Sequence, residues 1–145
     1  MTAGPVVIIG AGHAGFQLAM SLRQHGFSER IALLNDEGHL PYQRPPLSKA
    51  YLKGTGGPDS LMFRPEKFYS DQNIDLISDR AVSVDRAARK VLLASGASLD
   101  YGHLVLATGA RNRLLDIPNA NLDSVRYLRT LDESQSLRDY IAPGQ

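Results

Sequence analysis

The sequence predicts an α/β fold, a parallel sheet covered by helices with a small antiparallel β meander inserted. Three observations carry that prediction. Short, continuous apolar runs stand at residues 6–9, 31–34 and 104–107, as strands buried on both faces of a parallel sheet do. A stretch with helical spacing of apolar residues connects the first two runs. Ahead of the third lie three brief strand-like segments parted by turn residues, the pattern of a meander.

Taken in order, Val6-Val7-Ile8-Ile9 is a β-branched strand, followed at once by Gly10-Ala11-Gly12-His13-Ala14-Gly15. Phe16, Ala19, Met20 and Leu22 then recur at helical spacing up to Gly26, placed to end the helix as its C′ residue. Residues 31–34 form the second strand and complete a βαβ unit with a right-handed crossover. Pro41, Pro45 and Pro46 exclude a central strand from the next stretch. Residues 47–52 fit a short helix with Pro46 in its first turn, and 53–58 a glycine-rich surface turn. A second short helix is expected over 65–69 and a strand over 74–77. The meander takes 82–84, 91–93 and 99–101, and residues 104–107 are expected as a third buried strand leading into Thr108-Gly109. Residues 112–123 read as loop and 125–128 as a final strand. Thr130, with Glu133 three residues on, predicts a capping box opening a helix over 132–141.

The chain has 145 residues, 16 Lys+Arg against 15 Asp+Glu, and a net charge of +1, which gives no electrostatic case for nucleic acid. That length suits one domain with a core of its own. With no cysteine, the chain cannot hold a disulfide framework, a thiolate metal site, a cysteine-bound iron–sulfur cluster or a redox-active cysteine pair. No apolar run is long enough to span a membrane. The start at Met1-Thr2-Ala3-Gly4-Pro5 lacks the basic region of a signal peptide, so a cytoplasmic location is expected.

The chemistry concentrates in a few segments. Gly10, Gly12 and Gly15 match G-x-G-x-x-G directly after a strand and at the start of a helix, the Rossmann-type context for a dinucleotide. The first glycine makes the turn, the second lets a pyrophosphate approach the backbone, and the third allows close helix packing. An acidic residue at the end of the second strand then holds the ribose. Asp36 follows that strand more closely than Glu37 and is the better candidate. This much fits NAD or FAD. In the stiff segment Pro41-Tyr42-Gln43-Arg44-Pro45-Pro46-Leu47-Ser48-Lys49, Arg44 can fork onto phosphate oxygens and Lys49 supplies a movable charge. Ala107-Thr108-Gly109 ends a strand where open α/β sheets bind ligands. Arg111 suits phosphate or an acidic partner, and Arg113 a solvated surface. His13 reads as a packing or backbone-bonding residue. His25, His39 and His103 share no metal-ligand spacing, so no metal is expected, and no catalytic triad or carboxylate pair can be assembled.

Together, residues 6–15, 41–49, 104–109 and Tyr127-Leu128-Arg129-Thr130-Leu131 resemble the FAD-dependent NADH:ferredoxin reductases of bacterial P450 systems. The resemblance covers nearly the whole chain, and Pro-Pro-Leu-Ser-Lys is its most specific motif. It implies a Rossmann-like FAD-binding domain of glutathione-reductase type. Carried over by position, Gly10, Gly12, His13, Ala14 and Gly15 line the pyrophosphate turn and Asp36 takes the adenosine ribose. Arg44 and Lys49 bracket the pyrophosphate and the isoalloxazine side, and Val82 meets the adenine end through its backbone. Ala107, Thr108, Gly109 and Arg111 lie by the cofactor, and Arg129 completes the contacts. In such enzymes hydride passes from NADH to the flavin, and single electrons pass on to a [2Fe-2S] ferredoxin. The cysteine-free chain agrees with that route. Asn112 departs from the proline that many relatives carry after Ala-Thr-Gly. The family's second glycine fingerprint, for NADH, does not occur in residues 1–145. The expectation is therefore an N-terminal FAD-binding portion without the NAD-binding and C-terminal domains, inactive alone. The alternatives are a non-catalytic nucleotide-binding module, or the nucleotide half of an NAD-dependent dehydrogenase, against which the 41–49 segment and the meander argue.

Overall fold

A computed structural model of the chain describes residues 4–142. Residues 1–3, on which the signal-peptide reading rests, and residues 143–145 at the other end lie outside these. The chain forms two compact units, each built from two separate stretches. The first takes the described residues up to Tyr42 together with Phe63–Gly109, and the second takes Gln43–Met62 with the described residues from Ala110 onward.

The first unit contains β1 (Val6–Ile9), α1 (His13–Gln24), β2 (Ile31–Leu34), α2 (Glu66–Asp71), β3 (Ile74–Ile77), β4 (Ala81–Asp85), β5 (Lys90–Leu93), β6 (Ser98–Asp100) and β7 (His103–Leu106). Four strands make an all-parallel sheet in the order β3-β2-β1-β7, and β4-β5-β6 make an antiparallel one. Side chains alternate across the parallel sheet. Val6, Ile8, Ile31, Leu33 and Ile74 pack with Ala19, Met20 and Tyr69 from the helices. Val7, Ala32 and Leu34 pack instead with Val91, Leu93 and Leu99 of the meander. The meander thus covers the second face of the sheet, which is why β1 and β2 are apolar without interruption.

Helix α1 ends as expected at Gly26, whose φ is +80°. The Gly26 N–H donates to the Arg23 carbonyl and the Phe27 N–H to the Leu22 carbonyl, a Schellman closure. The Arg23 guanidinium then gathers the carbonyls of Phe27, Glu29, Gln72 and Asn73 at 2.5–2.8 Å, tying the α1–β2 turn to the α2–β3 turn.

The third strand departs from expectation. Among the described residues β7 pairs with β1 alone and stands at the edge of the sheet, so His103 is exposed and Leu106 is 68% exposed. An apolar run reports local preference, whereas burial on both faces also requires a neighbour on each side.

In the second unit the predicted helix over 47–52 is replaced by a 3₁₀ turn, Pro45–Ser48. The prolines set the first turn, and Lys49, at φ −131° and ψ −109°, leaves the helical region and stops it. A second 3₁₀ turn, Pro58–Leu61, follows the glycine-rich stretch. Residues 125–128 form no strand; the Leu115 N–H donates to the Tyr127 hydroxyl at 2.8 Å. Helix α3 (Leu131–Tyr140) opens with the expected capping box. Leu47, Tyr51, Leu61 and Leu131 are the buried apolar side chains of this unit. The Tyr51 hydroxyl donates to Gln135 Oε1 at 2.6 Å and the Arg138 guanidinium lies over the Tyr51 ring.

Candidate functional site

In the parallel sheet, chain order runs outward from β1 to β2 and β3 on one side and returns to β7 on the other. The carboxyl ends of β1 and β7 therefore flank a topological switch point, where open α/β sheets leave a crevice. The glycine turn leaves β1 there and Ala107-Thr108-Gly109 leaves β7 beside it. Gly10, at φ +106°, passes so close that a Cβ would stand 2.4 Å from the Ala107 carbonyl oxygen. At Gly15 a Cβ would stand 1.9 Å from the Gly10 carbonyl oxygen. These two glycines are demanded by the protein's own packing.

Gly12 is different. Its φ of −69° suits any residue, and a Cβ there would meet nothing within 4 Å. Nothing in the fold requires glycine at this position, yet it opens α1. The helix begins without a side-chain cap and without an acidic residue in its first turn, so its N–H groups and positive end are not neutralised by the chain. An uncapped helix start behind a bare backbone suits an anion as large as a pyrophosphate.

His13 and Ala14 are exposed at this end of α1. The His13 ring meets Phe63 edge-on at 4.8 Å, and Phe63 stacks on Phe16 at 4.5 Å, which fits the packing role expected for the histidine. Beyond β2, Glu37 accepts a hydrogen bond from the Tyr42 hydroxyl, while Asp36 is exposed and makes no hydrogen bond among the described residues. Val82 is the extra residue of a β-bulge: Ala81 pairs with Leu93 and Ser83 with Leu92, leaving Val82 without a cross-strand partner and 54% exposed. Thr108 and Gly109 are exposed, and Gly109 has φ +68°.

Arg44, Lys49, Arg111 and Arg129 belong to the second unit. Arg44 Nη1 donates to the Arg129 carbonyl at 3.1 Å. Lys49 and Arg111 are exposed, Arg129 is half-buried, and none of these three side chains has a carboxylate partner among the described residues. Sequence reasoning missed what supports them. Glu133 Oε2 accepts from the Arg129 N–H at 2.6 Å and from the Thr130 N–H at 3.0 Å. Ser134, wholly buried, donates to the Leu47 carbonyl at 2.7 Å. The capping motif signalled Glu133, but nothing in the sequence signalled Ser134. Among the described residues no His, Asp or Glu cluster could hold a metal ion, and no helix is long and apolar enough to cross a membrane.

Rhodocoxin reductase of Rhodococcus erythropolis is 51% identical over 138 residues, 94% of this chain and 32% of that protein. The crystal structure of the ferredoxin reductase for the CYP199A2 system from Rhodopseudomonas palustris is 72% identical with a TM-score of 0.90, over 93% of this chain and 33% of that one. The covalent putidaredoxin reductase–putidaredoxin complex gives 39% identity and a TM-score of 0.86, over 94% of this chain and 34% of the other. The chain thus spans about a third of the length of these relatives. The family described as pyridine nucleotide-disulphide oxidoreductase matches residues 4–144. Match and fold agree on the Rossmann-like architecture read from the strand–glycine–helix pattern, and the chain belongs to the pyridine nucleotide-disulphide oxidoreductase family.

Proposed function

We propose that residues 1–145 are the amino-terminal, FAD-binding domain of a cytoplasmic oxidoreductase that passes electrons from NADH through FAD to a [2Fe-2S] ferredoxin supplying a cytochrome P450. Gly12 carries this reading. A glycine that neither backbone geometry nor packing requires, at an uncapped helix start, is explained by a ligand whose phosphates take up the open space. The relatives support the rest, since they are reductases of rhodocoxin, of the CYP199A2 system and of putidaredoxin.

FAD, when bound, would supply the redox chemistry between NADH and a ferredoxin, while the protein binds and orients it. In this assignment Gly10, Gly12, His13, Ala14 and Gly15 seat the pyrophosphate on the start of α1. Asp36 accepts hydrogen bonds from the adenosine ribose, and the Val82 backbone, at the bulge, meets the adenine. Ala107, Thr108 and Gly109 border the cofactor at the end of β7. Arg44, Lys49, Arg111 and Arg129 offset its negative charge.

The test is titration of the purified chain with FAD, ADP and NADH, using flavin fluorescence for FAD and calorimetry for the others. Saturable FAD binding, tighter than NADH, supports the proposal. Binding of NADH but not FAD would favour the nucleotide half of an NAD-dependent dehydrogenase. Binding of neither would overturn both.

A further inference from the structure

We infer that the first turn of α3 is the platform that positions the cation-bearing segments of the second unit, with Glu133 and Ser134 as positioning residues; that these cations serve FAD rests on the reading above. A capping box needs the glutamate to reach only the N-cap N–H, here that of Thr130. Glu133 reaches one residue further and accepts the Arg129 N–H in the shorter of the two bonds, 2.6 Å against 3.0 Å. The Arg129 carbonyl is occupied as well, by Arg44 Nη1 at 3.1 Å. Both backbone groups of Arg129 are therefore held, one by a carboxylate and one by a guanidinium, while its side chain has no partner among the described residues. A residue fixed at its main chain and open at its charge is arranged to present that charge.

The same turn reaches the other cation-bearing segments. Ser134 is buried, and its hydroxyl holds the Leu47 carbonyl inside the Pro45–Ser48 turn, between Arg44 and Lys49. A hydroxyl buried in a helix costs free energy unless it is bonded, so this bond is a specific one. The Asn112 amide approaches Glu133 Oε1 at 3.4 Å, placing the residue next to Arg111 against the same carboxylate. Four cations spread over 85 residues of sequence are thus referred to two adjacent side chains. Holding them before the ligand arrives removes ordering cost from binding.

The experiment measures the FAD dissociation constant by flavin fluorescence, and the thermal midpoint, for the wild-type chain and four variants. Glu133→Ala is expected to weaken FAD binding about tenfold. Glu133→Gln is expected to restore it to within about twofold, because one amide oxygen can accept both N–H groups. Ser134→Ala, which adds no bulk, is expected to weaken binding about fivefold by freeing the Leu47 turn. Leu137→Ala, elsewhere on α3, is expected to lower the midpoint with less than about a twofold effect on FAD. If Glu133→Ala and Leu137→Ala weaken FAD equally for equal loss of midpoint, Glu133 is an ordinary cap; the inference is overturned and the FAD reading stands. A wild-type chain that binds no FAD overturns the FAD reading itself, and the platform with it.

Discussion

Gly12 and Gly15, three positions apart, predict opposite outcomes. Gly12→Val adds bulk where the protein leaves open space, so its unfolding free energy from urea titration should stay within about 1 kcal/mol of wild type while FAD binding is lost. Normal FAD binding by that variant would remove the pyrophosphate from this turn. Gly15→Ala drives a methyl to 1.9 Å from a backbone oxygen and should cost about 3 kcal/mol or more, seen in the same titration without ligand. The spacing in the sequence located all three glycines but could not divide them, because the division depends on which backbone passes nearby. Tyr69 gives a third expectation. Its hydroxyl is buried without a partner among the described residues, and burial pushes its pKa up to about 12, with Arg64 opposing. The unfolded chain releases that proton near 10, so between pH 10 and 12 it binds fewer protons than the folded one. Stability is full below pH 10 and should fall by on the order of 2 kcal/mol as pH rises to 12. Tyr69→Phe should flatten that fall and, by deleting an unsatisfied donor, stabilise the protein by about 1 kcal/mol at neutral pH.

Among the elements, those written in local chemistry were legible and those set by neighbours were not. Gly26 closes α1, and Thr130 with Glu133 opens α3, because caps are made by residues a few positions apart. Thr130→Ala should accordingly cost about 1 kcal/mol, measured by thermal unfolding followed at the far-ultraviolet helix signal. By contrast, Val125-Arg126-Tyr127-Leu128 forms no strand, and β7 pairs with one strand among the described residues. The short helix expected over 47–52 was displaced because Pro45 and Pro46 enforce a tighter turn two residues earlier. The bulge at Val82 was invisible for a similar reason, since it exists only in the register between β4 and β5.

At the scale of the molecule, the chain forms two compact units, each drawn from two separate stretches of sequence. Composition and length cannot show this, because each unit is assembled from stretches that another stretch interrupts. Candidate site residues were nevertheless found in both, since glycine spacing and cationic motifs are local signals. Deleting residues 110–145 should take from Leu47 and Tyr51 the hydroxyl, amide and guanidinium that α3 supplies. Amide exchange at Lys49, Tyr51 and Gly54 should then quicken by at least tenfold, and unchanged protection would show that residues 43–62 hold their shape unaided. The bond from Ser134 to Leu47 spans 87 residues, which matters most while the chain is being made. At translation rates of about 5–20 residues per second, the Pro45–Ser48 turn emerges roughly 4–17 s before its partner exists. For that interval the nascent chain carries its proline-rich segment without the helix that will hold it, so a silent codon change that slows synthesis between the two would lengthen its exposure to proteases and chaperones without altering a single atom of the finished protein.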